Sequence, residues 1–392
     1  MTGCENVHVY PAPIVNAGRI FKQTESVARS GLFSSVIICG MALDGLPREE
    51  YLTFGRRIDR VGSVVKNANS SGFKNRRLSV FGRVQEQLSW SRAVLKHYSR
   101  SDICVVNAHS VAVLPVCYLL SRRLRAKLIY DTHELETETP TCHGMQGMIF
   151  KVIERLIIGK CDAVFVVTES IADWYRTRYR NLRPVVVRNI PNFSGAVLPV
   201  DVRDLLSVPP DKRLFIHVGN IVGSRNIQAM LETFASTAID DHIVFLGGGD
   251  LEGEVDESAV SHSNIHRIPP VPPGDVLGYV SGCDVALSLG ELSCLSYKLA
   301  LGNKHLEYAM AGVPFFFTGM PEVSRLLGPA FSEWLIDDPK GDLTEAIMAL
   351  SATAIEDARI KLASLHLPTW DEESELMIAA YSDLMDHHAV SP

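Results

Sequence analysis

Leu214-Phe215-Ile216-His217-Val218-Gly219-Asn220, then Gly223-Ser224-Arg225 and an apolar-periodic stretch over 226–235, reads as a strand, a glycine turn and a helix. Five mostly apolar residues stopped by a turn fit a strand buried on both faces, as in parallel sheets. The pattern continues downstream. His242–Leu246 is a strand ending in Gly247-Gly248-Gly249, and 285–289 and 313–317 extend the series. Upstream, 7–10, 36–39, 103–106, 127–130, 163–167 and 184–188 read as strands, with helical patterns at 20–30, 149–159 and 171–179. Strands alternating with amphipathic helices imply parallel sheets with helices on both faces.

Around 189–210 the periodicity fails and Pro191, Gly195, Pro199, Pro209 and Pro210 accumulate, which marks a linker. The expected fold is α/β: two Rossmann-like, doubly wound domains, 1–195 and 205–370, facing across a cleft. In open sheets of this kind ligands bind beyond the carboxyl ends of the strands.

Composition narrows the class. Hydrophobic residues make up 46% and charged residues 21% of the 392, which excludes a disordered, collagen-like or coiled-coil chain. Cys4, Cys39, Cys104, Cys117, Cys142, Cys161, Cys283 and Cys294 are scattered without metal-ligand spacing. They read as small buried hydrophobes in a reducing compartment, neither disulfides nor zinc ligands, and Cys142 with His143 is disfavoured as a metal pair. The first residues lack a basic stretch followed by an apolar one. The longest apolar run, 103–120, is interrupted by Asn107, His109 and Ser110. The expectation is a cytoplasmic protein.

Charge is uneven. Residues 1–200 carry 27 Lys and Arg against 16 Asp and Glu; residues 201–392 carry 11 against 29. Arg56, Arg57, Arg60, Lys66, Lys74, Arg76, Arg77, Arg83, Arg92, Lys96 and Arg100 crowd one stretch, interleaved with Phe73, Phe81, Trp90 and Tyr98. Either this is a surface for anionic lipid headgroups or a pyrophosphate-linked acceptor, placing the protein at the inner face of a membrane, or it is a solvated helical face. No nucleic-acid motif accompanies the charge, so no nucleic-acid partner is expected.

Three glycine-bearing turns follow strands. Gly219 lets the backbone approach a phosphate, the next helix offers free N–H groups, and Arg225 adds a fork-shaped cation suited to a diphosphate. Gly247-Gly248-Gly249-Asp250 reads as an ordinary tight turn. Ala17, Gly18 and Arg19, after the first strand, border either an acceptor or a phosphate, or only shape the turn. The stretch 303–314 reads as a helix ended by Gly312, with Pro314 entering a strand. Glu307 lies mid-helix among apolar residues, where an unpaired carboxylate is costly, and ribose hydroxyls would satisfy it. Lys304, one turn earlier, either pairs with Glu307 or meets a phosphate. Asp131-Thr132-His133-Glu134 follows a strand, so His133 either faces a ligand or is a satisfied structural histidine; His109 has the same placement.

Together these pieces resemble the retaining glycosyltransferases of the GT-B, family 4 type, over nearly the whole chain in order. Cys161 to Ser170, Trp174-Tyr175 and Val187-Arg188-Asn189-Ile190-Pro191-Asn192 are similar to the family's last N-domain strand, helix and exit segment. Gly219 to Ile227 resembles its glycine turn, and Asn303 to Pro314 with Pro321-Glu322 its nucleotide-binding helix. Trp370-Asp371-Glu372-Glu373-Ser374 resembles the start of the final helix, which would span 371–388 and cross back to the N-terminal, acceptor-binding domain.

The resemblance implies a nucleotide-diphosphate sugar bound by the C-terminal domain. Glu307 would hold the ribose diol, and Arg225 with the Gly219 backbone and Lys304 the diphosphate. Backbone from Ile268 to Val271 would meet the base, His133 the transferred sugar, and Ala17, Gly18 and Arg19 the acceptor and diphosphate. A glycan or lipid-linked acceptor, retention of configuration and no metal or other cofactor complete the expectation. Two positions depart from the family: Leu299 where many members have a first glutamate, and Asn220 where many have an arginine. Two alternatives stand beside transfer: a sugar-nucleotide 2-epimerase, and a non-catalytic member that binds nucleotide or a partner enzyme.

Overall fold

The computed structural model describes residues 3–15, 17–65, 80–142, 144–191 and 198–389. The chain forms two compact units: Met1–Arg188 with Asp371–Pro392, and Asn189–Trp370.

Unit 1 is built on eight strands: β1 (Glu5–Val9), β2 (Ser35–Leu43), β3 (Glu49–Leu52), β4 (Arg56–Val65), β5 (Ile103–Ala108), β6 (Lys127–Asp131), β7 (Ala163–Val166) and β8 (Val185–Val186). Their order is β3-β4-β2-β1-β5-β6-β7-β8, all parallel except β3, which runs antiparallel to β4. Strand order reverses between β1 and β5, the kind of point beyond whose carboxyl ends open α/β sheets bind ligands. The helix Trp370–Ala389 belongs to this unit from Asp371 onward. Its buried Tyr381 packs edge-on against Phe33 and Phe165 and donates from its hydroxyl to Asn107 Oδ1 at 2.7 Å.

Unit 2 holds β9 (Leu214–Val218), β10 (His242–Leu246), β11 (Ile265–Ile268), β12 (Val285–Ser288) and β13 (Phe315–Phe317). They form a parallel sheet in the order β11-β10-β9-β12-β13. β9, β12 and β13 are buried along their whole length, as the near-continuous apolar reading requires. Here the reversal lies between β9 and β12.

Two sequence readings are corrected. Cys4 and Cys104 are joined as a disulfide, with Cα atoms 5.8 Å apart, because the β1–β5 pairing brings together residues 100 apart in sequence. The basic stretch is neither a lipid-facing surface nor a solvated helical face over Arg56, Arg57 and Arg60. These lie on β4, where Arg56 pairs with Glu25, Arg57 with Glu5 and Asp59, and Arg60 with Glu50. Arg56 and Arg60 are buried, as are Trp90 and Tyr98. Their carboxylate partners come from other elements, which is why local sequence did not reveal them. Lys66, Phe73, Lys74, Arg76 and Arg77, and the side chains of Phe81 and Arg83, fall outside the described residues; Arg92, Lys96 and Arg100 are exposed. His143 also lies outside the described residues.

Candidate functional site

In unit 2 the loop after β9 is shaped by backbone. Gly219 takes φ +109°, a region that side chains disfavour. The Gly247 turn is more than a connection: Gly219 N–H donates to Leu246 O, Ile221 N–H to Gly248 O, and Leu251 N–H to Ile221 O. A Cβ at Gly247 would come within 2.0 Å of Gly219 O, so the two turns lie backbone on backbone. Asn220 is exposed beyond them.

The chain then passes through the turn Gly223–Arg225 into the helix Ile227–Ala235. Asn226 sits in the left-handed region at φ 55° and donates from Nδ2 to Leu289 O at 2.7 Å, while Glu291 N–H donates to Ser224 O. These bonds tie the turn to the end of β12. Arg225 is thereby set beside Gly290, its Nη1 3.3 Å from where a Cβ there would stand, with its guanidinium 5.7 Å from the Tyr297 ring centroid.

The helix Asn303–Met310 follows, and its start is fixed by a residue that sequence reading passed over. His305 Nδ1 lies 3.1 Å from Gly302 N and 3.2 Å from Gly302 O, and its Nε2 lies 2.6 Å from Ser288 Oγ. Burial and the Lys304 and Arg225 charges hold His305 down to about 3, so it is neutral. Tyr308 accepts from Val218 N–H at 3.0 Å, anchoring the same helix to β9. The signal was present: His305 lies next to Lys304 in the stretch already singled out.

Lys304 and Glu307 lie one turn apart without an ion pair; neither Lys304 nor Arg225 has a carboxylate oxygen within 4 Å among the described residues. Burial first, then the Arg225 charge, lowers Lys304 to about 7, against the opposing pull of Glu307. Burial raises Glu307 to about 7, offset by Lys304. His217, buried in β9, is pushed down to about 3 by burial and by the same two cations, and its Nε2 has no partner. Two basic side chains close enough to act on each other, with no carboxylate oxygen within 4 Å among the described residues, and the starts of two helices favour an anion here. Ile268 ends β11 and accepts from Gly247 N–H; it and Val271 are half-buried against the same core.

Unit 1 gathers the other predicted residues at the carboxyl ends of β1, β5 and β6. Ala17 and Gly18 open the helix Gly18–Arg29. Arg19 turns inward, donating to Asp131 Oδ1 and to Val187 O, both at 2.9 Å. His109 joins His8 and His133: His8 Nδ1 is 2.8 Å from His109 Nε2, and His109 Nδ1 is 3.0 Å from His133 Nε2. Asp131 Oδ2 lies 3.1 Å from His109 Nδ1. Burial, with His109 and Arg19, holds His133 down to about 3 despite Asp131, so its imidazole is neutral; its ring stacks on Tyr10. Glu136, raised to about 8 by burial, accepts from Ser110 Oγ and Val111 N–H. Among the described residues, His109, Asp131 and His133 form the one set whose ligand atoms lie close enough together to hold a metal ion. His8, Tyr10 and Glu136 escaped sequence reading because strand register, not spacing, brings them here.

Residues 35–193 match the family model described as Glycosyltransferase Family 4. No curated protein matches the chain. Among solved structures, it is similar to sucrose-phosphate synthase from Thermosynechococcus elongatus, with TM-score 0.72 and 15% identity over 98% of this chain and 100% of that one. Anabaena Alr3699/HepE in complex with UDP-glucose gives TM-score 0.62 and 12% identity over 99% and 100%. The apo lipopolysaccharide outer core galactosyltransferase WaaB gives 0.60 and 12% over 97% and 99%. These likenesses show a common fold.

Proposed function

We propose that this chain, a glycosyltransferase of the GT-B, family 4 type, moves a hexose from a nucleoside-diphosphate sugar to a glycan or lipid-linked acceptor with retention of configuration. Synthesis of a cell-surface polysaccharide or glycolipid is the setting that such an acceptor implies. The observation that carries the donor half is that Arg225 and Lys304 act on each other at the strand reversal of unit 2, with no carboxylate oxygen within 4 Å of either among the described residues. A solved relative of the same fold holds UDP-glucose, which supports a uridine-type donor.

When the bond between C1 of the sugar and the diphosphate oxygen breaks, its electron pair stays with the diphosphate. Cations already in place lower the energy of that charge most, since they need no reorganisation as it forms. Arg225 and Lys304 have this role, with the N–H groups after Gly219 and no metal. Glu307 accepts hydrogen bonds from the ribose hydroxyls, and Ile268 to Val271 border the base. His133, a neutral imidazole, offers a hydrogen bond to the transferred sugar. Ala17, Gly18 and His109 border the acceptor in unit 1, while Arg19 acts through Asp131.

The test is NMR of the protein with UDP-sugars and candidate acceptors, with and without chelator. A product keeping the donor's anomeric configuration, unaffected by chelator, supports the reading. Turnover of donor without acceptor selects the epimerase alternative. Nucleotide binding without turnover of any donor selects the non-catalytic one. Activity lost on chelation reassigns the His109, Asp131 and His133 set to a metal.

A further inference from the structure

The helix Gly144–Ile157 of unit 1 carries apolar side chains outward as well as at its buried Ile157. Its inward side carries Gly147 and the carboxylate of Glu154, which accepts from the Tyr130 and Tyr175 hydroxyls at 3.1 and 2.6 Å. Those bonds fix the helix's rotation. Its outward side presents Met145, Met148, Ile149, Val152 and Leu156, between 48% and 73% exposed. They recur at i, i+3, i+4, i+7 and i+11, one continuous stripe. Leu119 extends it from the adjacent helix Leu114–Leu124, itself 54% exposed. A contiguous apolar patch of this kind marks an interaction surface.

Charge selects the occupant. Arg122, Arg123, Arg125, Arg155 and Lys160 are exposed on these helices and their ends, and none has a carboxylate within 4 Å among the described residues. The one acid in 114–125 and 144–160 is Glu154, which is buried. Apolar side chains bordered by unpaired cations, on helices too short and polar to span a bilayer, suit a position in the plane of an anionic lipid surface. We infer that this face docks unit 1 on an anionic membrane, with the methionines and aliphatic side chains entering the acyl boundary and the arginines meeting headgroup phosphates. The inference stands apart from sugar transfer and from the arginines of β4, which are paired internally.

Cosedimentation of the full chain with phosphatidylcholine vesicles, with and without about a third phosphatidylglycerol, tests this. Binding to the anionic vesicles is expected, and it should weaken when salt rises from about 0.1 M to about 0.5 M. The triple substitution Met148→Ser, Val152→Ser and Leu156→Ser should weaken it at least about tenfold without lowering Tm, because these side chains are already in water. Arg122→Glu with Arg155→Glu should abolish the preference for anionic lipid. Absence of binding, or equal binding by the triple variant, overturns the inference. So does a dimer in solution that the triple variant dissociates while vesicles stay unbound, which gives the stripe to a second copy of the chain. All readouts are binding, so failure here leaves the transferase reading untouched.

Discussion

Arg19 gives its charge to Asp131: Nη2 meets Oδ1 at 2.9 Å, and both side chains are all but shielded from water. An arginine that the sequence placed at the edge of an acceptor site thus holds a buried carboxylate. Arg19→Leu leaves that carboxylate without its cation, which typically costs about 3–5 kcal/mol. Urea unfolding should show a lower midpoint at unchanged slope, and adding Asp131→Asn should restore part of the loss. A change below about 1 kcal/mol would mean the pair is not buried in solution.

Arg225→Ala and Lys304→Met should each weaken UDP binding by roughly tenfold or more, about 1.4 kcal/mol, since a charged hydrogen bond to phosphate is lost. Glu307→Ala should weaken nucleoside diphosphate while leaving inorganic pyrophosphate unchanged, because only the ribose contact goes. Calorimetry on the three variants measures this. Equal loss for both ligands in Glu307→Ala would separate Glu307 from the ribose.

With Lys304 lowered to about 7, much of the amine is neutral at pH 8 in the empty protein. A diphosphate, whose last proton leaves at roughly pH 6, favours the charged amine, so binding above pH 7 should take up a proton. Affinity then falls as pH rises from about 7 to 9. Calorimetry in buffers of different ionisation enthalpy reads the uptake directly, and Lys304→Met should abolish it.

Glu136 carries the opposite sign for a carboxyl group. Raised to about 8, it keeps a proton in the folded protein that the unfolded chain loses near its ordinary value. Between about pH 5 and 8 the native state therefore binds more protons, and its contribution to stability shrinks as pH rises. Glu136→Gln keeps an acceptor for Ser110 and Val111 and should flatten the slope. Denaturation midpoints at about pH 5.5 and 8 compare the two proteins, and parallel slopes would refute the assignment.

Tyr381→Phe strands Asn107 Oδ1, which is otherwise buried with Asn107 Nδ2 given to Asn6 Oδ1 and Val7 O. An unsatisfied buried acceptor costs about 1–3 kcal/mol. Thermal unfolding should register it, and an unchanged Tm would mean that the terminal helix is not seated on unit 1.

Runs such as Leu214–Val218 were legible because a strand buried on both faces writes its burial into composition. β4 was not, since alternating arginines look like a surface until Glu5, Glu25 and Glu50 arrive from elsewhere. The grouping of Arg225, Lys304 and Glu307 came from the resemblance to the GT-B, family 4 type, since turn chemistry alone left each residue open to a plainer role. The histidine cluster did not: His8 reaches His109 because β1 pairs with β5, a register no local pattern announces. Cys4 with Cys104 escaped for the same reason.

Unit 2 is one unbroken stretch of chain, whereas unit 1 is interrupted by it. On the ribosome, then, the later lobe can be finished while the earlier one still lacks the helix carrying Tyr381. Until the helix carrying Tyr381 has been made, the nascent first lobe presents the apolar socket of Phe33 and Phe165 uncovered.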